Sequence, residues 1–413
     1  MSDYYTSIEL GTDSIKILVC NKNNGKFHVI AAVSSPSEGI KKGIITDSKS
    51  VISSVKKALK KVNDMLGIKI TKAILALPTN DCKMDIVVGS TLLDDTSQID
   101  GSDISNVIKD SIKGHVKEDE EVVTAIPISF QVDDKENIKD PHGMSGEELG
   151  AKVLLTVSKR ELVYSFLEVL KLSGLDIIDI AYKSTGDYYE ISNKDIDKSV
   201  SAIINIGEDS TNISVFNKGI MIKNKIINVG SKNIDNDISY IYKIDRNLSR
   251  DLKENFVIAS PNYADVNEVC EVKNTNLEEI ELNQLEVSKI VEARCNEILK
   301  VAKNELKNLT KKEIRYIIIT GGVSELAGFQ YALEDVFDLK ARICNINTMG
   351  VRHNKYSTTL GIIKYFDDKL TLRDKSVSMI ASDDITSLIT VKENNKENNE
   401  NIINRFFGRF FEN

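Results

Sequence analysis

Apolar runs separated by a polar turn occur twice in the chain with the same layout. The first pair lies within residues 7–20, where a turn over residues 9–14 separates two short runs. The second pair lies within residues 202–216, with a turn over residues 207–211. Runs of this length, rich in β-branched residues, predict β-hairpins. A repeated strand-turn-strand unit indicates two related halves of one architecture.

Helical and strand patterns alternate between and after these hairpins. Apolar residues at helical spacing over residues 48–66 predict a helix, and residues 73–77 predict a strand. The same patterns recur further along the chain, at residues 153–157, 160–172, 177–180, 317–320 and 325–337. Such alternation predicts an α/β protein with mixed sheets covered by helices.

Three segments depart from this alternation. Residues 81–150 are rich in Asp, Ser and Gly and are interpreted as an inserted subdomain. Residues 234–310 are interpreted as a second, helical insertion, with one apolar stripe along a charged helix. The pattern fails after residue 372, and residues 391–401 are almost entirely Lys, Glu and Asn. That composition buries too little apolar surface to become ordered, so it predicts a linker.

The end of the chain, residues 401–413, predicts an amphipathic helix. At 100° per residue its large apolar side chains form one face, which comprises Ile402, Ile403, Phe406, Phe407, Phe410 and Phe411. Arg405 and Arg409 lie on the opposite face. A helix of this length spans about 18 Å, too short for a hydrocarbon core of about 30 Å. We therefore expect it to lie in a membrane interface with its arginines toward lipid headgroups; the alternative is docking on the protein's own body or a partner.

Composition narrows the functional classes. The 413 residues suffice for two to four domains, and the formal net charge of -8 has the wrong sign for holding nucleic acid by its phosphates. The five cysteines and four histidines are scattered, which argues against a disulfide framework and a zinc site. The chain begins without a signal-peptide pattern and has no apolar run long enough to span a bilayer, so we expect it to be neither secreted nor integral.

Three glycine-containing turns follow predicted strands, at Gly11, at Gly207 and at Gly321 with Gly322. Glycine lets backbone N–H groups approach an anion closely, and amides at a turn or a helix start favour phosphate. Each turn alone is most simply a tight turn. Two hairpins followed by a Gly-Gly-x-Ser helix entry, ending at Ser324, together predict a nucleotide cleft between two halves.

At this point the chain resembles the actin/Hsp70/sugar-kinase superfamily and, within it, the FtsA family of bacterial cell-division proteins. The most specific segment is IKDPHGMSG at residues 138–146, which is similar to a signature in that family's inserted subdomain. Further similarity covers nearly the whole chain, at residues 41–47, 229–239, 290–294, 319–329 and 357–365.

The resemblance implies an actin-like fold of two duplicated ribonuclease H-like halves with one FtsA-type inserted subdomain. The expected division is residues 1–80 as the first part of subdomain 1A, 81–158 as the inserted subdomain 1C, 159–198 as the second part of 1A, 199–233 as the first part of subdomain 2A, 234–310 as subdomain 2B, 311–372 as the second part of 2A with a return to 1A, 373–400 as a disordered linker and 401–413 as the membrane-targeting helix.

The resemblance also implies that ATP with Mg²⁺ binds in the cleft. The nucleotide-binding residues carried over are Glu9, Gly11, Thr12 and Lys16 at the first hairpin, Gly207, Glu208, Ser210 and Thr211 at the second, and Gly230, Lys253, Gly321, Gly322 and Val323 on the sugar and base side. The metal is expected to be held through Glu9 or Glu208. No catalytic residue is predicted, and at most slow ATP hydrolysis is expected.

This sequence departs from the family pattern at the second turn. Asn205 and Asn212 stand where the family has carboxylates, Glu208 and Asp209 where it has glycines, and Arg250 where it has a glutamate near the adenosine. A new carboxylate about 4 Å from a phosphate costs on the order of 1 to 4 kcal/mol unless a cation intervenes. These departures predict weakened nucleotide binding and, still more, weakened hydrolysis.

In function, the resemblance implies a scaffold that binds ATP, polymerises, and anchors the tubulin-like protein FtsZ to the inner face of the cytoplasmic membrane at the septum, where it recruits later division proteins. Arg294 is the expected contact for the acidic C-terminal peptide of FtsZ; a surface arginine on an amphipathic helix is the alternative interpretation. Two other functions share the fold. An ATP-dependent small-molecule kinase needs a catalytic base that no residue supplies, and a PilM-like pilus assembly protein is expected to lack the tail. The rod-shape protein MreB is disfavoured because it lacks an insertion of this type.

Overall fold

The computed structural model describes residues 3–93 and 98–380. The elements of the first half, with its insertion, are β1 (Asp3–Leu10), β2 (Ser14–Asn23), β3 (Lys26–Pro36), β4 (Ile40–Lys41), β5 (Ile44–Ile45), α1 (Ser48–Leu66), β6 (Lys72–Leu77), β7 (Lys83–Leu92), α2 (Gly101–Ile112), β8 (Glu120–Val132), β9 (Lys135–Ile138), β10 (Glu148–Lys159), α3 (Arg160–Leu172), β11 (Asp176–Tyr182) and α4 (Lys183–Ile191). The second half contains β12 (Val200–Ile206), β13 (Thr211–Asn217), β14 (Ile220–Ile227), α5 (Ser231–Tyr242), α6 (Arg246–Asn255), β15 (Val269–Lys273), β16 (Glu279–Asn283), α7 (Gln284–Leu309), β17 (Tyr316–Thr320), α8 (Phe329–Phe337), β18 (Ala341–Ile343) and α9 (Ser357–Thr371).

The two halves have the same sheet topology. The strand order is β3-β2-β1-β6-β11 in the first half and β14-β13-β12-β17-β18 in the second. In each half the first three strands are antiparallel, and the remaining strands run parallel to the first. This arrangement is the ribonuclease H-like half of an actin-like fold, so the duplication predicted from the repeated hairpins is confirmed.

Local sequence explains why the elements begin and end where they do. Helix α1 begins after Asp47, whose side chain accepts hydrogen bonds from the backbone N–H groups of Lys49 and Ser50, and it ends at Gly67 in the left-handed conformation. Asp is a favoured N-cap and Gly a favoured residue after a helix. The buried stripe of α1, which includes Val51, packs with the first sheet into one hydrophobic core.

The insertion is a separate small layer beside the first half. Its sheet has the order β7-β10-β8-β9, and α2 buries Ile104 and Val107 in a core of its own. The loop with the IKDPHGMSG signature connects β9 to β10. In that loop the His142 imidazole contacts Asp140 and lies 3.2 Å from the Asp374 carboxylate. Asp374 also accepts a hydrogen bond from the Gly101 N–H, at 2.8 Å, so the insertion is tied to the segment that follows α9.

Helices α4 and α9 cross where two glycines meet. A Cβ atom on Gly361 would lie 1.8 Å from the carbonyl oxygen of Gly186. Only hydrogen fits there, because no real Cβ approaches a backbone atom so closely. Both helices lie against the first sheet, since α4 contacts β6 and β11 and α9, which returns from the second half, contacts β1, β2 and β6.

The structure corrects three expectations. The helix predicted over residues 325–337 begins only at Phe329, after a single 3₁₀ turn at Gly322–Glu325. The insertion over residues 234–310 contains the hairpin β15–β16 as well as helices. The linker predicted from residue 373 is wrong for residues 373–380: Met379 and Ile380 are buried, and the Met379 N–H donates to the Tyr4 carbonyl at 2.8 Å.

The rest of the predicted linker, residues 381–400, and the predicted membrane helix, residues 401–413, lie outside the described residues. Among the helices of residues 3–93 and 98–380, none has the length and apolar character needed to cross a bilayer.

Candidate functional site

The turns of the two hairpins have the same geometry at the cleft between the halves. The Gly11 N–H donates to the Ser14 carbonyl at 3.0 Å, and the Gly207 N–H donates to the Ser210 carbonyl at 3.0 Å. Both turns follow the carboxyl end of the first strand of a sheet, where open α/β sheets bind ligands. Thr12 lies in the first turn and is partly exposed; Thr211 is buried at the second, with its hydroxyl donated to the Val229 carbonyl at 2.8 Å.

Two ammonium groups converge on one carboxylate at the first hairpin. The Oε1 atom of Glu9 lies 3.3 Å from the Lys16 ammonium and 3.0 Å from that of Lys183. Lys183 also donates to the Leu10 carbonyl at 3.3 Å, directly before the turn. The sequence analysis named Glu9 and Lys16 but missed Lys183, which is the first residue of α4 and lies 174 positions from Glu9.

These lysines set the charge of Glu9. Burial alone would raise the pKa of the Glu9 carboxyl, but the nearby ammonium groups of Lys16 and Lys183 outweigh burial and lower its pKa to about 2. Glu9 is therefore ionised at neutral pH and holds both lysines in position. One negative and two positive charges leave the base of the first turn with a net positive charge, as phosphate binding requires.

Cations neutralise both new carboxylates of the second turn. Glu208 accepts hydrogen bonds from Arg246 and from Arg250, the latter at 2.6 Å, and Asp209 lies 3.3 Å from the Lys232 ammonium. Asp209 thus has the intervening cation that the sequence analysis required. Glu208, one of the two expected metal ligands, instead contacts two guanidinium groups.

Arg250 also bridges the two hairpins. Its guanidinium donates to Asp13 in the first turn as well as to Glu208 in the second, and it lies 3.6 Å from Asp235 of α5. The residue in the family's glutamate position therefore connects the first half to the second across the mouth of the cleft. Sequence reasoning identified Arg250 only as a departure, because its partners lie on other elements.

The predicted sugar and base side is assembled around the start of α5. The backbone N–H groups of Ser231 and Lys232 donate to the carbonyls of Gly207 and Glu208, at 2.8 and 3.0 Å. Gly230 is required there, since a Cβ atom on it would lie 2.5 Å from both carbonyl oxygens.

Lys253 on α6 reaches the same helix start. It is buried, lies 2.6 Å from the Asp235 carboxylate and donates to the Ser231 hydroxyl at 2.6 Å. The predicted adenosine lysine therefore links α6 to α5.

The third glycine turn follows β17. Gly321 has a φ of +93°, and a Cβ atom on it would lie 2.4 Å from the Ile206 carbonyl oxygen. Gly322 is exposed with no atom within 4 Å of its missing Cβ, whereas Val323 is buried. The structure thus brings the third turn against the end of β12, beside the second hairpin.

A buried polar network that the sequence did not reveal links the halves below the turns. The Ser184 hydroxyl of α4 is 2.9 Å from the hydroxyls of both Thr79 and Ser214, and accepts from the Asn212 amide at 2.8 Å. Asn224 accepts a hydrogen bond from the Ser214 hydroxyl at 2.8 Å. One departure from the family pattern, Asn212, is therefore part of the contact between the halves.

Asp187 of α4 connects the end of β12 to the start of α9. Its carboxylate accepts hydrogen bonds from the Asn205 amide at 2.7 Å, the Ser357 hydroxyl at 3.0 Å and the Thr358 hydroxyl at 2.8 Å. Burial raises the pKa of the Asp187 carboxyl to about 6, although these three donors oppose the rise. Asn205, the other lost carboxylate, thus donates to an acidic residue instead of adding a second negative charge.

The expected Mg²⁺ site does not fit these residues. Within residues 3–93 and 98–380 no group of three or more His, Cys, Asp or Glu side chains has a metal-binding arrangement. Of the two expected carboxylates, Glu208 pairs with arginines, and Glu9 Oε1 is occupied by two ammonium groups. Glu9 Oε2 is buried without a partner, one oxygen where Mg²⁺ prefers several.

Arg294, the expected FtsZ contact, lies on α7. Its guanidinium forms two hydrogen bonds with the Asp237 carboxylate of α5, at 2.5 and 2.9 Å, and one with Glu297 at 2.6 Å. An acidic peptide at this position has to replace these carboxylates or bind beside them.

Two family models match the chain. One, described as cell division protein FtsA, matches residues 202–361, and the other, described as the SHS2 domain inserted in FTSA, matches residues 81–157. Together the two matches span more than half of the chain. The second match covers nearly the same residues as the expected inserted subdomain, 81–158. The chain belongs to the FtsA family. Similar FtsA proteins include those of Streptococcus pneumoniae, 26% identical over 88% of this chain and 80% of that protein, and Bacillus subtilis, 26% identical over 88% and 83%.

Solved structures similar to this FtsA-family chain confirm the actin-like fold. MreB 5 of Spiroplasma citri bound to AMPPNP superposes with a TM-score of 0.53 at 13% identity, covering 89% of this chain and 97% of that protein. A chain of the PilM-PilN type IV pilus biogenesis complex superposes with a TM-score of 0.57 at 12% identity, covering 86% and 96%. At these identities the likeness shows the fold alone.

Proposed function

We propose that this chain is an actin-like scaffold of bacterial cell division that binds ATP, assembles into filaments and anchors FtsZ filaments to the inner face of the cytoplasmic membrane at the septum. Membership of the FtsA family is the observation that carries the proposal. The paired hairpins support its nucleotide part, and the amphipathic pattern of residues 401–413 supports its membrane part.

The nucleotide is proposed to lie with its phosphates between the two hairpin turns. The net positive charge at the first turn, from Lys16 and Lys183 against Glu9, suits a polyanion. The exposed backbone at Gly322 leaves room on the side proposed for the sugar and base. MreB 5 of Spiroplasma citri, of the same fold, was solved with AMPPNP, which supports the proposal at the level of fold.

Hydrolysis is proposed to be slow or absent because the candidate general bases at the described part of the cleft, residues 3–93 and 98–380, are poorly suited to the role. Glu9, with a pKa of about 2, is too weak a base at neutral pH. Asp187 has a pKa of about 6, but both its oxygens accept hydrogen bonds from protein donors. The amides of Asn205 and Asn212 do not accept a proton. ATP then acts by stabilising one arrangement of the two halves.

The membrane contact is proposed to be the helix of residues 401–413. A single short interfacial helix binds reversibly, whereas a filament that presents many copies binds firmly through effective concentration. This dependence supports a coupling between assembly and membrane attachment. The FtsZ contact is proposed at Arg294, where the acidic C-terminal peptide of FtsZ replaces carboxylates that already neutralise the guanidinium. Later division proteins are proposed to join the same assembly.

The experiment that tests this function is sedimentation of FtsZ with vesicles of anionic phospholipid. FtsZ is expected in the vesicle pellet only when the full chain is present, and to stay in the supernatant when the chain ends at residue 400. FtsZ left in the supernatant with the full chain on the vesicles refutes the anchoring function. Absence of the chain itself from the vesicles refutes the membrane part.

A further inference from the structure

The Lys183 ammonium lies 3.0 Å from an oxygen of Glu9, one of the two residues expected to hold a divalent cation. We infer that this cleft binds the phosphates of a nucleoside triphosphate through the ammonium groups of Lys16 and Lys183 without a divalent cation, with the Lys183 ammonium in the metal's position. The inference rests on the proposed function, since it concerns how the proposed nucleotide is held.

Two ammonium groups already occupy the carboxylate of the first hairpin. Glu9 is the expected metal ligand of the first hairpin, and its Oε1 atom is within 3.3 Å of both ammonium groups. A divalent cation on that oxygen would lie beside two positive charges at hydrogen-bond range, and like charges at such distances repel strongly in a partly buried site. The Lys183 side chain is 21% exposed, so this contact is partly buried.

The second turn lacks the free carboxylates that would hold a divalent cation. In the second turn, the Asn205 amide donates to Asp187 and the Asn212 amide donates to Ser184, so both NH₂ groups are directed into protein contacts. Glu208 is held by two arginines. Mg²⁺ in nucleotide sites is held by one or two carboxylates, and none here is free of a cation or of protein donors.

Lys183 lies close to the first turn. Its ammonium contacts the Leu10 carbonyl at 3.3 Å, one residue before the Gly11 N–H. Lys16 of β2 pairs with Glu9 in the hairpin register, so both ammonium groups lie beside the strand ends that carry the turn. A lysine ammonium is a common phosphate-binding group, and Glu9 fixes both before the ligand arrives, which lowers the entropy cost of binding.

The inference makes nucleotide binding possible without magnesium. Calorimetric titration of ATP into the full chain is expected to give a dissociation constant in EDTA equal to or lower than that in Mg²⁺, because Mg²⁺ competes with the ammonium groups for the phosphates. Lys183→Met is expected to weaken binding in EDTA by about tenfold or more and to weaken it less in Mg²⁺, because only the Lys16 ammonium then competes with the metal for Glu9 Oε1.

The matched control is Lys369→Met. Lys369 also pairs with one carboxylate, that of Asp179 at 2.7 Å, and its side chain is 24% exposed, but it lies on α9 and pairs with β11. This variant is expected to bind ATP as the wild type does in both buffers. Circular dichroism of both variants verifies that they are folded.

The outcomes separate this inference from the proposed function. Wild-type binding in Mg²⁺ that disappears in EDTA overturns the inference and leaves ATP binding intact. Binding in neither buffer overturns the nucleotide part of the proposed function itself. Lys183→Met with unchanged affinity in EDTA overturns the role of Lys183. The wild-type comparison needs no variant, so the test stands even where Lys183→Met is unstable.

Discussion

The crossing of α4 and α9 gives a prediction whose size follows from the structure. In Gly361→Ala the new methyl group would lie 1.8 Å from the Gly186 carbonyl oxygen, 2.6 Å from its carbonyl carbon and 2.9 Å from the Glu190 nitrogen. All three atoms belong to the backbone, so no side chain can rotate to make room. The two helices have to separate by more than about 1 Å, which is overpacking of a closed interface.

The expected loss in the free energy of unfolding is at least about 2 kcal/mol. Overpacking costs typically 1 to 3 kcal/mol, and this site is expected at or above the upper end of that range because only backbone can move, while the higher helix propensity of Ala returns about 1 kcal/mol. The displacement also moves Lys183 and Asp187, because both lie on α4. We therefore expect nucleotide affinity to fall together with stability.

Urea unfolding followed by far-ultraviolet circular dichroism measures this loss, since the chain has no Trp for fluorescence. The matched control is Gly322→Ala, where no atom lies within 4 Å of the missing Cβ, and its unfolding free energy is expected within about 0.5 kcal/mol of the wild type. A Gly361→Ala protein as stable as the control would refute the close helix crossing.

Three further predictions concern charge. Arg294→Glu is expected to weaken binding of the FtsZ C-terminal peptide about tenfold or more in fluorescence anisotropy, while Lys289→Glu on the same helix leaves it unchanged; equal affinities would contradict the assignment. Burial raises the pKa of Asp187 to about 6 from its ordinary 3.8, so the wild type loses stability as pH rises between those values. The free energy of unfolding of Asp187→Asn, measured in urea, is therefore expected to rise relative to that of the wild type by on the order of 3 kcal/mol between pH 4 and pH 7. A difference that stays constant with pH would refute this. Burial opposes protonation of His142, but the carboxylates of Asp140 and Asp374 outweigh burial and raise the His142 pKa. The contact between His142 and Asp374 should therefore weaken as pH rises through that pKa, and hydrogen exchange of the Gly101 amide should speed up by more than the intrinsic effect of pH. Exchange that follows only the intrinsic effect of pH would contradict the contact.

The elements that were predicted from sequence are those whose signal is local. Both hairpins and helix α1 have periodic apolar residues and residues that favour turns or caps, so their type and approximate bounds follow from short segments. The duplication also followed, since the same layout occurs twice. The burial of Met379 and Ile380 could not be predicted, because these two apolar residues lie in a polar stretch and form no repeating pattern.

The parts of the site that were missed depend on contacts between distant segments. Lys183 begins a helix and has no motif around it, yet it reaches Glu9 because β11 and β1 end at the same edge of the sheet. Arg250 differed visibly from the family pattern, but its bridge to Asp13 required the two halves to be in position. The need for Gly361 could not be predicted, because in a single sequence a glycine required by a close helix crossing looks the same as a glycine that a helix merely tolerates.

The proposed function depends most on attachment of residues 401–413 to a membrane. Flotation of the full chain with anionic vesicles tests it most directly, comparing the wild type with Phe407→Asp plus Phe410→Asp, which puts two charges on the apolar face of the predicted helix. The wild type is expected to float with the vesicles and the double variant to remain at the bottom of the gradient, while both retain the same circular dichroism spectrum. A double variant that floats as well as the wild type would contradict the claim.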